Sequence, residues 1–148
     1  MFSQRFLDYA PEYFRDTAVQ MIYHSDPVEV PADLFIPLSI LKSNSALQSI
    51  VHYLARTHNL SYTAIARLLN RDPRTIWATY HAKTVQYTVD ESQLIPLSIL
   101  TNRRLSVLES IVFYLVTTQG LTITAIAVLL GKNYQTIRTV YRRAIQKL

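Results

Sequence analysis

Cysteine is absent from the 148 residues, and glycine occurs only as Gly120 and Gly131. The missing thiols exclude a disulfide framework and thiolate metal sites. Sheet-rich folds usually have more glycine in their turns, so the scarcity of glycine favours helices. No apolar run approaches the roughly 18 to 20 residues that a membrane span needs. The first residues also lack the basic-then-apolar order of a signal peptide. These absences predict a cytoplasmic protein with no membrane partner.

Acidic residues are scarce after the first 35 positions. Residues 1–35 contain two Arg against six Asp or Glu, a net charge of −4. Residues 36–89 contain six Lys or Arg and one Asp, which gives +5, and residues 90–148 contain seven and three, which gives +4. An acidic N-terminal segment followed by two basic segments favours a polyanion as the binding partner of the basic segments.

The sequence contains an internal repeat. The string IPLSIL occurs at residues 36–41 and again at residues 95–100, and the similarity continues downstream almost to the last residue. Ile36 aligns with Ile95, whereas Ala46 aligns with Val107, so the second copy gained two residues near Arg103 and Arg104. Two long copies indicate a duplicated small domain rather than a solenoid array. We predict an N-terminal helical arm over residues 1–27 and repeats over residues 28–86 and 87–148.

Each repeat has apolar residues at helical spacing. In the first repeat the i, i+3, i+4, i+7 pattern is carried by Leu47, Ile50, Val51 and Leu54. A second helix is predicted to begin after Ser61 or Thr122, and a third runs to about residue 85 in the first repeat and to the C-terminus in the second. The prediction is an all-α fold of two tandem tri-helical units.

IPLSIL itself does not follow helical spacing. Its alternating apolar residues and central proline favour an extended or irregular lead-in with a short helix at its end. A short strand that pairs with its own copy across the repeat is a further alternative.

The second and third helices of each repeat follow the helix-turn-helix pattern. That pattern needs a small residue on the first helix, a turn residue that tolerates positive φ, and a β-branched residue on the second helix. The residues in these places are Ala66, Asn70 and Ile76 in the first repeat, and Ala127, Gly131 and Ile137 in the second.

The string LTITAIAVLLGKNYQTIRTVYRRAIQKL resembles the C-terminal helix-turn-helix of bacterial sigma factors and related regulators. The resemblance covers residues 121–148 and their counterparts in the first repeat, residues 60–87. This chain has Arg71 or Lys132 directly after the turn residue, where that family usually has an apolar residue. Nothing similar to the other sigma factor regions is present. The resemblance therefore implies DNA binding and not promoter initiation.

In such a motif the N-terminal part of the second helix enters the major groove. The predicted base-reading residues are Arg74, Thr75, Trp77, Ala78 and His81 in the first repeat, and Tyr134, Gln135, Thr136, Arg138, Thr139 and Arg142 in the second. Phosphate contacts are predicted for Arg71, Lys83, Lys132, Arg143 and Lys147. For Trp77 a packing role is the alternative, because a lone Trp is more often a core anchor.

No catalytic or metal-ligating constellation is present. The four histidines lack metal-ligand spacing, and no serine lies in a nucleophile-elbow or P-loop string. We therefore expect that the protein is not an enzyme and binds no cofactor. We expect a sequence-specific double-stranded DNA-binding protein that regulates transcription at the nucleoid. The alternatives are an architectural protein that coats DNA and a protein-interaction module that reuses the fold. The acidic, aromatic arm is expected to complete the core of the first repeat, or to bind a partner or a second copy.

Overall fold

The computed structural model describes residues 34–148 and is mostly helical, as predicted. The predicted arm over residues 1–27 and the first six residues of the first repeat lie outside the described residues. We call residues 34–93 the first half and residues 94–148 the second half. The α-helices of the first half are α1 (Ala46–Thr57), α2 (Tyr62–Leu69) and α3 (Pro73–Ala82). Those of the second half are α4 (Val107–Thr117), α5 (Ile123–Leu130) and α6 (Tyr134–Lys147).

The two IPLSIL strings begin as short strands that pair with each other. Strand β1 (Phe35–Pro37) is antiparallel to β2 (Leu94–Pro96), with Ile36 opposite Ile95. Each strand passes into a 3-10 helix, Leu38–Leu41 in the first half and Leu97–Thr101 in the second. The proline of each copy ends its strand, since it has no N–H for the ladder. The strand alternative for these strings is thus confirmed.

The two halves contact each other through equivalent residues, so the arrangement is approximately two-fold symmetric. The Leu38 amide donates to the Gln93 carbonyl (2.9 Å), and the equivalent Leu97 amide donates to the Leu34 carbonyl (2.8 Å). Helix α2 packs on the 3-10 helix of the second half, and α5 packs on that of the first half. Most of the buried apolar side chains of both halves form one continuous cluster. The two halves therefore share one core.

Local capping fixes where the helices begin. Ser45, Ser61, Ser106 and Thr122 each accept a hydrogen bond from the backbone amide three residues on. These bonds satisfy amides that have no partner within the first turn of a helix. The predicted starts at Ser61 and Thr122 are confirmed.

Helix α3 ends earlier than predicted, at Ala82 rather than near residue 85. The residues after it run in an extended linker in which Val85 is buried. The Arg56 Nη1 donates to the Val85 carbonyl (2.9 Å), and the Asn44 Nδ2 donates to the Gln86 carbonyl (2.9 Å). These tertiary contacts with α1 and the segment before it replace the hydrogen bonds that a further helical turn would have made.

Candidate nucleic-acid interface

Both turns of the candidate motif are built in the same way. Asn70 and Gly131 end their helices in the left-handed conformation, at φ 53° and φ 61°. The following amides close the turn: that of Arg71 donates to the Ala66 carbonyl (2.8 Å) and that of Lys132 to the Ala127 carbonyl (2.9 Å). Gly and Asn are the residues that adopt this conformation at least cost. Both turns are therefore closed by a backbone hydrogen bond, with Arg71 or Lys132 directly after the turn residue.

Each turn leads directly into a capped helix. The Asp72 carboxylate accepts from the Arg74 amide (2.8 Å) at the start of α3, where Pro73 occupies the first position. The Asn133 side chain accepts from the Gln135 amide (2.7 Å) at the start of α6. Buried isoleucines, at positions 76 and 137, anchor the two helices in the core. The opposite faces of α3 and α6 are consequently turned to solvent.

The exposed face of α6 is basic and polar. All the base-reading residues predicted on this helix are exposed: Tyr134, Gln135, Thr136, Arg138, Thr139 and Arg142. Residues 132–148 contain five Lys or Arg and no Asp or Glu. Arg138 and Arg142 are four positions apart and so share one side of the helix. Each guanidinium group can bind guanine through two hydrogen bonds, and Gln135 can bind adenine in the same manner.

The exposed face of α3 has fewer charged side chains than the exposed face of α6, and it is partly aromatic. Arg74, Thr75, Ala78 and His81 are exposed, whereas Trp77 is half-buried against the core. The Trp77 and His81 rings stack with centroids 4.1 Å apart, and His81 Nδ1 lies 2.9 Å from the Trp77 carbonyl oxygen. Since a carbonyl can only accept, Nδ1 carries a proton and Nε2 is the nitrogen that a base or phosphate can contact. The geometry of Trp77 favours the packing role over base reading.

The predicted phosphate contacts fall into two groups. Lys83 and Arg143 are exposed, and Lys132 is half-buried without an ion pair among the described residues. The other two are already engaged within the protein. Arg71 is half-buried with Nη2 3.4 Å from the Leu105 carbonyl oxygen, and Lys147 Nζ is 2.8 Å from the Glu109 carboxylate. Burial, and then the nearby Arg103, lower the pKa of Arg71. These two residues would have to exchange internal partners for a phosphate.

The contact of Arg103 with the first turn was not predicted from the sequence. Arg103 Nη1 donates to the Asn70 carbonyl (2.9 Å), and the Asn70 Nδ2 donates to the Thr101 carbonyl (3.1 Å). At the second turn, a methyl group on Gly131 would meet the Lys42 Cβ at 3.4 Å. Each turn therefore lies against the segment that follows the 3-10 helix of the other half. The two-residue gain near Arg103 and Arg104 was the available signal, because an insertion marks a local difference between the two copies.

Metal-binding clusters and membrane-spanning helices are absent from residues 34–148. These residues contain no group of three or more His, Asp or Glu side chains that could hold a metal ion. No helix of this part of the chain is both long and apolar enough to cross a membrane. No protein-family model, curated protein or solved structure matches the chain.

Proposed function

We propose that this protein is a sequence-specific double-stranded DNA-binding protein, not an enzyme, which regulates transcription at the nucleoid. Its two tri-helical helix-turn-helix units arose by duplication, and each inserts its third helix, α3 or α6, into the major groove. One observation carries the proposal: each left-handed turn leads into a capped helix whose outward face is exposed and contains no acidic residue. This arrangement matches what a recognition helix requires.

The two faces favour two dissimilar half-sites. The α6 face offers Gln135, Arg138 and Arg142, whereas the α3 face offers Arg74, Thr75 and the His81 ring. Direct readout depends on the donor and acceptor pattern of the side chains, so these faces select different bases. Because the halves share one core and a paired strand, the two helices are held at a fixed separation. The half-sites are therefore expected at one fixed spacing.

The test is selection from a pool of random DNA duplexes, followed by sequencing, at low and physiological salt. The expected result is an enriched composite motif with two dissimilar halves. Arg138→Ala should relax the preference in one half-site and weaken binding by about 1 to 3 kcal/mol. Arg74→Ala should do the same in the other half-site, and insertion of about half a helical turn of DNA between the half-sites should abolish the joint preference.

Arg143→Ala is the matched control for Arg138→Ala, because it removes the same side chain from the same helix. We expect this variant to weaken binding similarly to all sequences and to reduce the salt dependence by about one phosphate contact. An enriched motif that is unchanged in Arg138→Ala would contradict the assignment of α6 as a reading helix.

An architectural role is the second candidate, and the unbalanced positive charge of residues 132–148 favours it. Charge of this kind supplies sequence-independent binding to phosphates, with Kd of about 10⁻⁴ to 10⁻⁶ M at physiological salt. Salt-sensitive binding without an enriched motif would support this second role. Absence of binding at low salt would exclude both candidates and would direct attention to a protein partner.

A further inference from the structure

Each turn of the candidate motif has a basic residue beside it that comes from the other half. Arg103, in the segment after the 3-10 helix Leu97–Thr101, donates to the Asn70 carbonyl (2.9 Å) at the first turn. At the second turn, the Cβ and Cγ of Lys42 lie 3.4 and 3.5 Å from the place that a Cβ on Gly131 would take. Both Arg103 and Lys42 are exposed. Neither residue was predicted from the sequence to contact DNA.

Arg103 and Lys42 hold equivalent positions in the repeat. Arg103 is three residues before Ser106, which caps α4, and Lys42 is three residues before Ser45, which caps α1. Counted from these caps, the position that lies beside the opposite turn is basic in both halves. The next position is Arg104 in the second half and a neutral serine in the first. A positive charge therefore recurs at the position beside the turn, whereas the next position is charged in one half only.

Each of these residues lies near the basic residue that follows the turn. Arg71 follows Asn70, and the charge of Arg103 is close enough to lower the pKa of Arg71, after the larger effect of burial. At the second turn, Lys132 follows Gly131 and is half-buried. Like charges that are held together repel each other, and an anion bound between them turns the repulsion into attraction. Both turns are therefore suited to receive an anion.

No carboxylate of the described residues forms an ion pair with these four basic side chains. The one ion pair in this part of the chain joins two other residues, on α4 and α6. Asp72 is the acidic residue closest in sequence to the first turn, and its carboxylate accepts from the Arg74 amide. At the second turn Asn133 holds the place of Asp72, and residues 110–148 contain no Asp or Glu. The positive charge at each turn is thus not neutralised by an ion pair.

The Arg103 side chain is held in place and still has donors for a ligand. A guanidinium group has five N–H donors, and the Asn70 carbonyl uses one of them. The remaining donors can bind two oxygens of one phosphate. Because the first turn leads directly into α3, these donors lie beside the end of the helix that is proposed to enter the major groove. The DNA backbone passes along the edge of that groove, and phosphates there fix the orientation of the protein.

We propose that each turn is a phosphate-binding site built from both halves, with Arg103 and Arg71 beside α3, and Lys42 and Lys132 beside α6. Arg103 and Lys42 bind backbone phosphates of duplex DNA, and Arg71 and Lys132 add positive charge at the same sites. The inference rests on the proposed function, since it assigns phosphate contacts within the same DNA complex. Each half thus supplies a phosphate contact beside the recognition helix of the other half.

The test is the salt dependence of binding between the full chain and a random-sequence DNA duplex of about 30 base pairs, which can hold two half-sites one helical turn apart. Arg103→Gln and Lys42→Gln should each reduce the slope of log affinity against log salt by about 0.9, and the double variant by about 1.8. Gln keeps an N–H donor, so Arg103→Gln can retain the bond to the Asn70 carbonyl while it loses the charge. Arg103→Lys restores the charge and should return the native slope.

Arg104→Gln is the matched control, because it removes an exposed arginine from the adjacent position, and its slope should equal the native slope. Urea titrations check that every variant keeps the native stability. Native slopes in both Arg103→Gln and Lys42→Gln would overturn the inference and leave the reading helices unaffected. An equal reduction in Arg104→Gln would overturn it in favour of a diffuse basic surface. Absence of duplex binding by the native protein would overturn the proposed function as well.

Discussion

His52 is a titratable side chain in the core of the first half, where Phe113 holds the equivalent position in the second. Its ring stacks on Tyr80 at 4.4 Å. Burial first, and then the positive charges of Arg56 and His81, lower the pKa of His52 below 6.5, although a backbone hydrogen bond at Tyr80 opposes this shift. The unfolded chain therefore takes up the proton at a higher pH than the folded chain does.

The first prediction is that His52→Phe reduces the loss of stability in mild acid. In the native protein the stabilisation from the neutral ring is complete above pH 6.5 and is lost as the pH falls through the lower folded pKa. The free energy of unfolding, from urea titrations at about pH 7.5 and about pH 5, should fall less in the variant. Phe113→Tyr, a ring substitution at the equivalent position, should keep the native pH dependence. An equal fall in the native protein and in His52→Phe would contradict the role of this ring.

Residue patterns allowed part of the candidate site to be predicted. The turn residues Asn70 and Gly131 were identified because positive φ restricts the residue type, and their conformation was therefore predictable. The internal engagement of Arg71 was not predictable, because its acceptor is the Leu105 carbonyl, 34 residues away in the other half. A backbone carbonyl is present at every position, so no sequence pattern marks the one that a side chain will reach.

Helices α4 and α6 are joined by an ion pair whose carboxylate, on Glu109, is buried and whose lysine, Lys147, is half exposed. The Glu109 carboxylate accepts from the Ser106 amide (2.8 Å) and from Lys147 Nζ (2.8 and 3.0 Å). Burial by itself raises the pKa of Glu109, but the hydrogen bonds from Lys147 and Ser106 outweigh it and hold the pKa below 4.5. In the first half the equivalent residues are Gln48 and Gln86, both neutral.

The second prediction is that Glu109→Gln lowers the free energy of unfolding by about 1 to 2 kcal/mol at neutral pH, since charged acceptors form the stronger hydrogen bonds. Lys147→Gln should cost at least as much, because it leaves the buried Glu109 carboxylate without its ammonium partner, whereas in Glu109→Gln water can replace the carboxylate at the half-exposed Lys147 side chain. Urea titrations of both single variants and of the double variant give the coupling energy. The contribution of Glu109 should be present above pH 4.5 and vanish as the pH falls through its lower folded pKa. Additive single effects would show that the pair does not couple the helices.

At the level of elements, the helix starts were the most predictable feature. Caps such as Ser61 and Thr122 act on amides three residues away, so the information is local. The end of α3 was predicted about three residues too late, because the residues after it make tertiary contacts in place of a further helical turn: Val85 is buried, and its carbonyl accepts from Arg56 of α1. The equivalent helix α6 continues to Lys147, where no such linker follows within the described residues.

The arrangement of the two halves was the least predictable feature of the molecule. The repeat predicted units placed one after the other, and pairing of the two IPLSIL strands was given only as an alternative; the packing of each 3-10 helix on a helix of the opposite half was not predicted. A repeated string specifies the same local conformation whether it packs within its own half or on the other half. The sequence therefore does not distinguish packing within a half from packing between the halves. The choice is made by long-range packing, seen in Ile36 opposite Ile95 and in the single continuous core.

The shared core predicts that both halves unfold together. Trp77, the only tryptophan, lies in the first half and reports on that half by fluorescence, whereas circular dichroism reports on all helices. Ile137→Ala empties a fully buried site in the second half and should cost about 2 to 5 kcal/mol. Because the halves share one core, this substitution should move the unfolding midpoint seen by Trp77 as far as the midpoint seen by circular dichroism. Ile145→Ala, the same substitution at an exposed position of α6, should move neither midpoint.

A Trp77 midpoint that stays at its native value while circular dichroism shows two transitions would mean that the halves fold as independent units. The fixed half-site spacing proposed above would then lose its structural basis.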